Sequence, residues 1–136
     1  MNVEVIRAEQ KHKPVLRQLL ELYDHDFSEF TKEDGNEHGF YNIAGFVLVS
    51  FWRDAYRISE FFVMRKYRRM NVGNIAAKLT FDLFKGEWSV KVLNVNKPAL
   101  PFWRKVINEY TNGKYTCNSE PAEDWDGIGY NFQSNP

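Results

Sequence analysis

The sequence predicts a mixed α/β fold, and three observations carry that prediction. Two β-rich runs, Ile43 to Phe51 and Ala55 to Met64, are apolar at nearly every position. Other segments place their apolar residues at helical spacing instead. One strand runs through a short basic turn, Arg65-Lys66-Tyr67-Arg68-Arg69, straight into an apolar helix. The 136 residues are 43% hydrophobic and include 11 Phe, 7 Tyr and 4 Trp. That is enough apolar surface to give one compact domain over 1–136 a substantial core.

Taken in order, Val3 and Val5 alternate with polar neighbours as a short strand does. Pro14 suits the first turn of a helix, and Val15, Leu16, Leu19, Leu20 and Tyr23 form its apolar stripe. A second helical piece is predicted around Phe27 to Phe30, ahead of a polar loop from Lys32 to Gly39. The runs 43–51 and 55–64 then pair as a hairpin through Arg53-Asp54. Their nearly continuous apolar pattern predicts a sheet covered on both faces. A helix from about Gly73 to Phe84 follows, with Ile75, Ala76, Leu79, Leu83 and Phe84 on its buried face. Gly86 stands where a left-handed helix end is expected. Trp88 to Leu93 reads as a strand, and Pro98 opens a helix running to about Glu109. Asn112-Gly113 is a turn, and Ile128 to Phe132 is a last strand. No internal repeat or low-complexity linker interrupts the pattern.

Charge narrows the function. Eighteen basic and eighteen acidic residues cancel, which argues against a surface given over to nucleic acid. The balance hides an asymmetry: residues 21–38 are acidic, whereas 65–69 are strongly basic. A cationic and an anionic ligand can thus be held side by side. Cys117 is the only cysteine and no histidine follows it, so it reads as a plain thiol in a reducing compartment. The N-terminal Met1-Asn2-Val3-Glu4 lacks the regions of a signal peptide, and no run reaches the ~20 apolar residues of a membrane span. A cytoplasmic protein is expected, with no membrane partner. Asp24-His25-Asp26 and His38 show no metal-ligand spacing, so no metal is expected.

The basic turn carries the chemistry. The first N–H groups of a helix lack internal partners, and the helix dipole places partial positive charge there. A turn entering such a helix can close around a pyrophosphate, with Arg and Lys adding charge. Gly73 permits either close approach or an unusual dihedral, and Asn71 tolerates the left-handed conformation.

The segment Glu60 to Ala77 resembles motif A of the GNAT N-acetyltransferase superfamily, Q/R-x-x-G-x-G/A after a strand ending in Val. Arg68 matches the first position and Gly73 the last; Val63, Tyr67 and Val72 also fit, while Asn71 replaces the middle glycine. A second stretch, Asn96-Lys97-Pro98-Ala99-Leu100-Pro101-Phe102-Trp103, resembles the family's N-x-x-A-x-x-F-Y, with Asn96, Ala99 and Phe102 matching. The resemblance covers roughly residues 43 to 110. It implies a mixed, mostly antiparallel twisted sheet flanked by helices and splayed between its fourth and fifth strands. It also implies acetyl-CoA as cosubstrate, held by Phe62, Val63, Arg68, Arg69, Met70, Asn71, Val72, Gly73, Asn74, Asn96, Ala99, Phe102 and Trp103. Glu60, on an otherwise apolar strand, is the candidate general base. Trp103 stands where many members carry a Tyr that protonates the leaving thiolate, and an indole N–H is no general acid near neutral pH. Water, Tyr110 or unassisted departure of the thiolate remain as alternatives. In the family the segment corresponding to the acidic stretch often walls the acceptor site, which here favours a cationic amine; homodimers are common. The family's extra strand ahead of 43–51 fits poorly here, because His38 to Asn42 leads almost directly into Ile43; either a meander strand has been lost or the chain is shorter than the natural product. A catalytically silent acyl-CoA-binding or regulatory domain is the alternative reading, since Asn71 and Trp103 both depart from the active pattern.

Overall fold

In the computed structural model of the chain the described residues are 2–25, 43–119 and 126–134, with backbone alone for 22–25. Strand β1 (Gly45–Trp52) turns back on β2 (Ala55–Val63) through Arg53 at φ 51° and Asp54 at φ 61°. Positive φ at both central residues is the turn geometry whose twist matches that of the flanking strands. Strands β3 (Gly86–Leu93), β4 (Thr116–Asn118) and β5 (Gly127–Ser134) complete a five-stranded sheet in the order β1-β2-β3-β5-β4. All neighbours are antiparallel except β2 and β3, which run parallel. The mixed, mostly antiparallel architecture is therefore the one expected.

Among the described residues three α-helices flank the sheet: α1 (Lys13–His25), α2 (Val72–Leu83) and α3 (Ala99–Thr111). The larger core gathers Ala77 and Phe81 of α2, Trp103, Val106 and Ile107 of α3, and Trp88, Val90, Val92, Tyr130 and Phe132 of β3 and β5. Phe81 meets Trp88, Tyr110 and Phe132 edge-on at centroid distances of 4.9, 5.1 and 4.9 Å, the arrangement that aromatic quadrupoles favour. A smaller core on the other face joins Val15 and Leu19 of α1 to Phe62 and Met64.

The parallel pair sets up everything that follows. Only Tyr56↔Trp88 and Arg57↔Ser89 are in register between β2 and β3; beyond them the strands part, which is the splay the sequence implied. On its other edge β2 carries a bulge, because Leu48 pairs with Glu60 whereas Val49 pairs with Ile58, leaving Ser59 as the extra residue. Strand alternation therefore slips by one. Tyr56, Ile58 and Phe61 all pack toward the α2/α3 core, while Phe62 packs against α1. Gly45 lies where β1 is squeezed against β2: a Cβ there would stand 2.0 Å from the Phe62 carbonyl oxygen.

Several expectations need correction. Residues 2–9 form no strand: Val3 and Val5 are half-buried, but two alternating apolar residues are too few to hold a ladder. Helix α2 buries Val72, Ala77, Thr80 and Phe81, whereas Leu83 is 42% exposed and Ile75, Ala76 and Leu79 are half-buried. The stripe is disguised by Thr80, whose hydroxyl is satisfied locally by the Ala76 carbonyl at 2.8 Å. Phe84 follows the helix in an extended conformation, so Gly86 is no left-handed cap; it opens β3 at φ 141°. Both faces of the hairpin are not covered, since Phe51 is 61% and Trp52 54% exposed. Strand β4 went unforeseen because Thr-Cys-Asn has no apolar alternation and gains its place only by pairing with β5. The predicted helical piece at Phe27 to Phe30, the polar loop, the step from His38 to Asn42 and most of the acidic stretch lie outside the described residues. No described helix is long and apolar enough to cross a membrane.

Candidate cofactor site

At the end of β2, where it leaves β3, a cleft of about 860 Å³ is lined by the strand end, the basic turn and the N-terminal turns of α2 and α3. One wall is the end of β2. Met64 N–H donates to the Ala44 carbonyl at 2.7 Å, so the alternate residues Phe61 and Val63 turn their main-chain groups away from β1 and toward the cleft. The Val63 carbonyl accepts from Arg68 Nε at 2.9 Å, which folds the basic turn back across the strand end.

The second wall is the start of α2. Arg69 and Asn71 take the left-handed conformation, at φ 64° and 65°, so the chain reverses sharply into the helix. No side chain caps α2, and the first residue to join its hydrogen-bond ladder is Ile75, donating to Asn71 at 3.2 Å. The N–H groups of Val72, Gly73 and Asn74 thus have no partner within the helix, and partial positive charge gathers at the cleft. Gly73 is helical, so of its two readings close approach is the one realised: a Cβ would stand 3.2 and 3.3 Å from the Phe102 ring.

The third wall is the start of α3. Pro98 is its N-cap with φ −66°, and Ala99, Phe102, Trp103, Lys105 and Val106 face the cleft, with Asn96 just ahead. Trp103 is 7% exposed. Its indole meets Phe61 and Phe102 edge-on at 5.0 and 4.9 Å. The lining is therefore mixed, with Arg68, Arg69, Lys105 and the start of α2 sharing the cleft with the rings of Phe61, Phe102 and Trp103, of which Phe61 and Phe102 lie against Gly73.

Every cofactor-side residue named from the sequence lines this cleft except Met70, which is 49% exposed outside it. Asn74 lines it, but its amide donates to Glu109 Oε1 at 3.2 Å. Lys78 Nζ also reaches Glu109, at 2.8 Å, and the hydrogen bonds from Lys78 and then Asn74 hold the Glu109 carboxyl below its usual range. This link ties α2 to α3 one turn below the opening. Phe61, Pro98, Lys105 and Val106 also line the cleft and were not anticipated. Phe61 faces it against the alternation counted through Ser59, a break that no local pattern announces.

Glu60 is not brought into the cleft. The same slip leaves it on the face shared with Phe62, toward α1, and half-buried. Tyr110 does not reach the cleft either. Its hydroxyl donates to Asp82 Oδ1 at 2.7 Å, and burial first, then that carboxylate, push the phenol well above its usual range. It is no proton donor to a ligand in the cleft. Among the described residues no carboxyl, histidine or phenol lines the cleft; its ionisable groups are Arg68, Arg69 and Lys105.

A strand parted from its parallel neighbour, beside an uncapped helix start, is the arrangement that the resemblance to the GNAT superfamily implied. The family model of the acetyltransferase (GNAT) family matches residues 4–107, and the chain belongs to that family. Among solved structures it is similar to a GNAT-family acetyltransferase from Staphylococcus aureus, at 12% identity and TM-score 0.62 over 98% of this chain and 100% of that one. It is also similar to the ribosomal-protein-S18-alanine N-acetyltransferase of Escherichia coli, at 12% identity and TM-score 0.59 over 96% and 93%. These likenesses bear on the fold. No curated protein sequence matches the chain.

Proposed function

We propose that this protein is an N-acetyltransferase that moves an acetyl group from acetyl-CoA to a primary amine. The observation that carries the reading is the cleft at the end of β2, lined together by Arg68, Arg69, the uncapped start of α2 and the rings of Phe61, Phe102 and Trp103. Arg68, Arg69 and the free N–H groups of Val72 to Asn74 suit a pyrophosphate. The main-chain groups of Phe61, the Val63 N–H and Asn96 suit the amides of a pantetheine arm, and the rings of Phe102 and Trp103 suit its apolar parts.

The chemistry joins the amine nitrogen to the thioester carbonyl carbon and releases the thiolate. The N–H groups of Phe61 and Val63, turned away from β1, would stabilise the oxyanion of the tetrahedral intermediate. Glu60, on the face toward α1, takes the proton that the amine must lose, directly or through water. With Trp103 in the thiol's vicinity and Tyr110 held by Asp82, the thiolate leaves unassisted or is protonated by water. The acidic residues between 21 and 38 favour a cationic acceptor such as a polyamine, an aminoglycoside or a basic peptide end. A cytoplasmic setting and a homodimer accompany this reading.

The test is acetyl-CoA binding by calorimetry, with wild type beside Gly73→Glu and the double variant Arg68→Ala/Arg69→Ala. Micromolar binding, lost in the Gly73 variant, supports the reading. No binding at millimolar acetyl-CoA by a verified, folded chain sinks it. One observation favours a second reading, a catalytically silent acyl-CoA-binding domain: no carboxyl, histidine or phenol lines the cleft among the described residues. Thiol release on adding amines separates the two.

A further inference from the structure

We infer that Lys78 shields the cofactor site: it does not hold the ligand but cancels the charge of Glu109, a carboxylate one hydrogen bond away from the cleft. The inference rests on the proposed acyl-CoA reading and concerns two residues that line no part of the cleft.

Asn74 and Lys78 stand four residues apart on α2, and Lys105 and Glu109 four apart on α3, so each pair shares a helix face. Asn74 and Lys105 line the cleft, whereas Lys78 and Glu109 do not. The two faces meet at one atom. Glu109 Oε1 accepts from Asn74 Nδ2 at 3.2 Å and from Lys78 Nζ at 2.8 Å. The side chains of Lys78 and Glu109 are 33% and 41% exposed, and an ion pair so exposed adds little to stability. Its place matters more than its strength.

The two hydrogen bonds hold the Glu109 carboxyl below its usual range, so it is ionised at neutral pH. Asn74 also belongs to the α2 start, where the main-chain N–H groups have no partner within the helix. A bare carboxylate bonded to that residue would oppose any phosphate gathered there. The helix start attracts an anion in full only while this charge is cancelled, and Lys78 is the cation in contact with it. Lys105 is the next cation acting on Glu109. Without Lys78, Glu109 would draw Lys105 toward itself and away from the cleft. Both effects weaken anion binding, and neither requires Lys78 to touch the ligand.

The experiment is calorimetry with CoA on wild type, Lys78→Met, Glu109→Gln and the double variant Lys78→Met/Glu109→Gln, with thermal unfolding to confirm that each is folded. Lys85→Met is the control. Lys85 forms another exposed pair, with Asp82 at 3.8 Å, but this pair lies about 12 Å or more along α2 from Asn74. That exceeds the Debye length of ~10 Å at about 0.1 M salt. Lys78→Met is expected to weaken CoA binding about threefold or more at this salt, and by less at about 0.5 M. Glu109→Gln is expected to bind at least as tightly as wild type. The double variant and Lys85→Met are expected to stay within about twofold of wild type.

A double variant as weak as Lys78→Met would mean that Lys78 holds the ligand itself. Weaker binding by Glu109→Gln would mean that the link is only a brace between helices. Either result overturns the inference, as does a Lys78→Met variant that binds like wild type or no worse than Lys85→Met. Wild type that binds no CoA at millimolar concentration is a distinct outcome, because it overturns the acyl-CoA reading and the inference with it.

Discussion

Gly73 and Phe102 lie in direct contact, with the Phe102 ring edge 3.2 Å from the point a Gly73 Cβ would occupy. One residue opens α2 and the other belongs to the first turns of α3, so the contact sets how closely the two helix starts approach across the cleft. Gly73→Ala is expected to leave stability nearly unchanged: about 1 kcal/mol gained in helix propensity offsets a similar loss to crowding. Acetyl-CoA binding is expected to weaken, because Phe102 has to shift into the cleft. Equal affinity in calorimetry with equal melting temperature would show that the ring yields freely.

The charged end of the cleft gives a second prediction. Arg68→Ala removes both a guanidinium and its bond to the Val63 carbonyl. Acetyl-CoA affinity is expected to fall about tenfold or more, as for loss of a charge-assisted hydrogen bond. Arg68→Lys keeps the charge without that forked geometry and is expected to restore only part of it. Wild-type affinity should also decline as salt rises from 50 to 500 mM, because the exposed Arg68 and Arg69 are screened (salt range on the order of Debye lengths from ~14 to ~4 Å).

Gly45 is predicted to be intolerant for a different reason. Any Cβ there would stand 2.0 Å from the Phe62 carbonyl oxygen. Because that oxygen is main chain, it can move only if the hairpin moves. Gly45→Ala is expected to destabilise the fold by about 1–3 kcal/mol in urea unfolding. A change under about 0.5 kcal/mol would mean the hairpin relaxes without cost.

Tyr110 gives a pH prediction. Its phenol is pushed above the ordinary value of 10.0 by burial and by Asp82. The folded state therefore keeps this proton when the unfolded chain has released it. The stabilisation is fully present below about pH 10 and is lost as the pH climbs toward the folded value. Tyr110→Phe is expected to flatten the decline of stability above pH 10, measured against wild type. An identical slope in both would place the alkaline sensitivity elsewhere.

Trp103→Tyr tests the proposed chemistry. A phenol at this position supplies a proton donor that the cleft lacks among its described residues. If thiolate departure limits turnover, thiol release with an active amine should rise several-fold while the acetyl-CoA affinity holds. A turnover unchanged by the phenol would place the limit at amine deprotonation or product release.

How much of this was legible beforehand depended on whether the signal was local. The turn into α2 was, because an Arg-x-x-Asn-x-Gly stretch between a strand and a helix carries its own backbone instructions, and Asn71 takes the left-handed conformation those imply. The hairpin turn at Arg53-Asp54 and the α3 start at Pro98 were local in the same way. What escaped was set by partners distant in sequence. The β2 bulge exists only against β1, so the face of Glu60 and the entry of Phe61 into the cleft could not be read from alternation. Strand β4 owes its existence to β5. Tyr110 looked available until Asp82, on another helix, was found holding its hydroxyl.

The extra residue in β2 is a bend added to the strand and not a determinant of which face each side chain takes. Ser59 is exposed, and its hydroxyl donates to that of Ser50 at 2.9 Å, so its side chain is replaceable. Taking the residue out would leave Ile58 opposite Val49 and Glu60 opposite Leu48 as neighbouring pairs of a regular ladder, with Glu60 and Phe61 on the faces they already occupy. What would go is the local kink and the added twist, and with them the direction in which the end of β2 departs from β3.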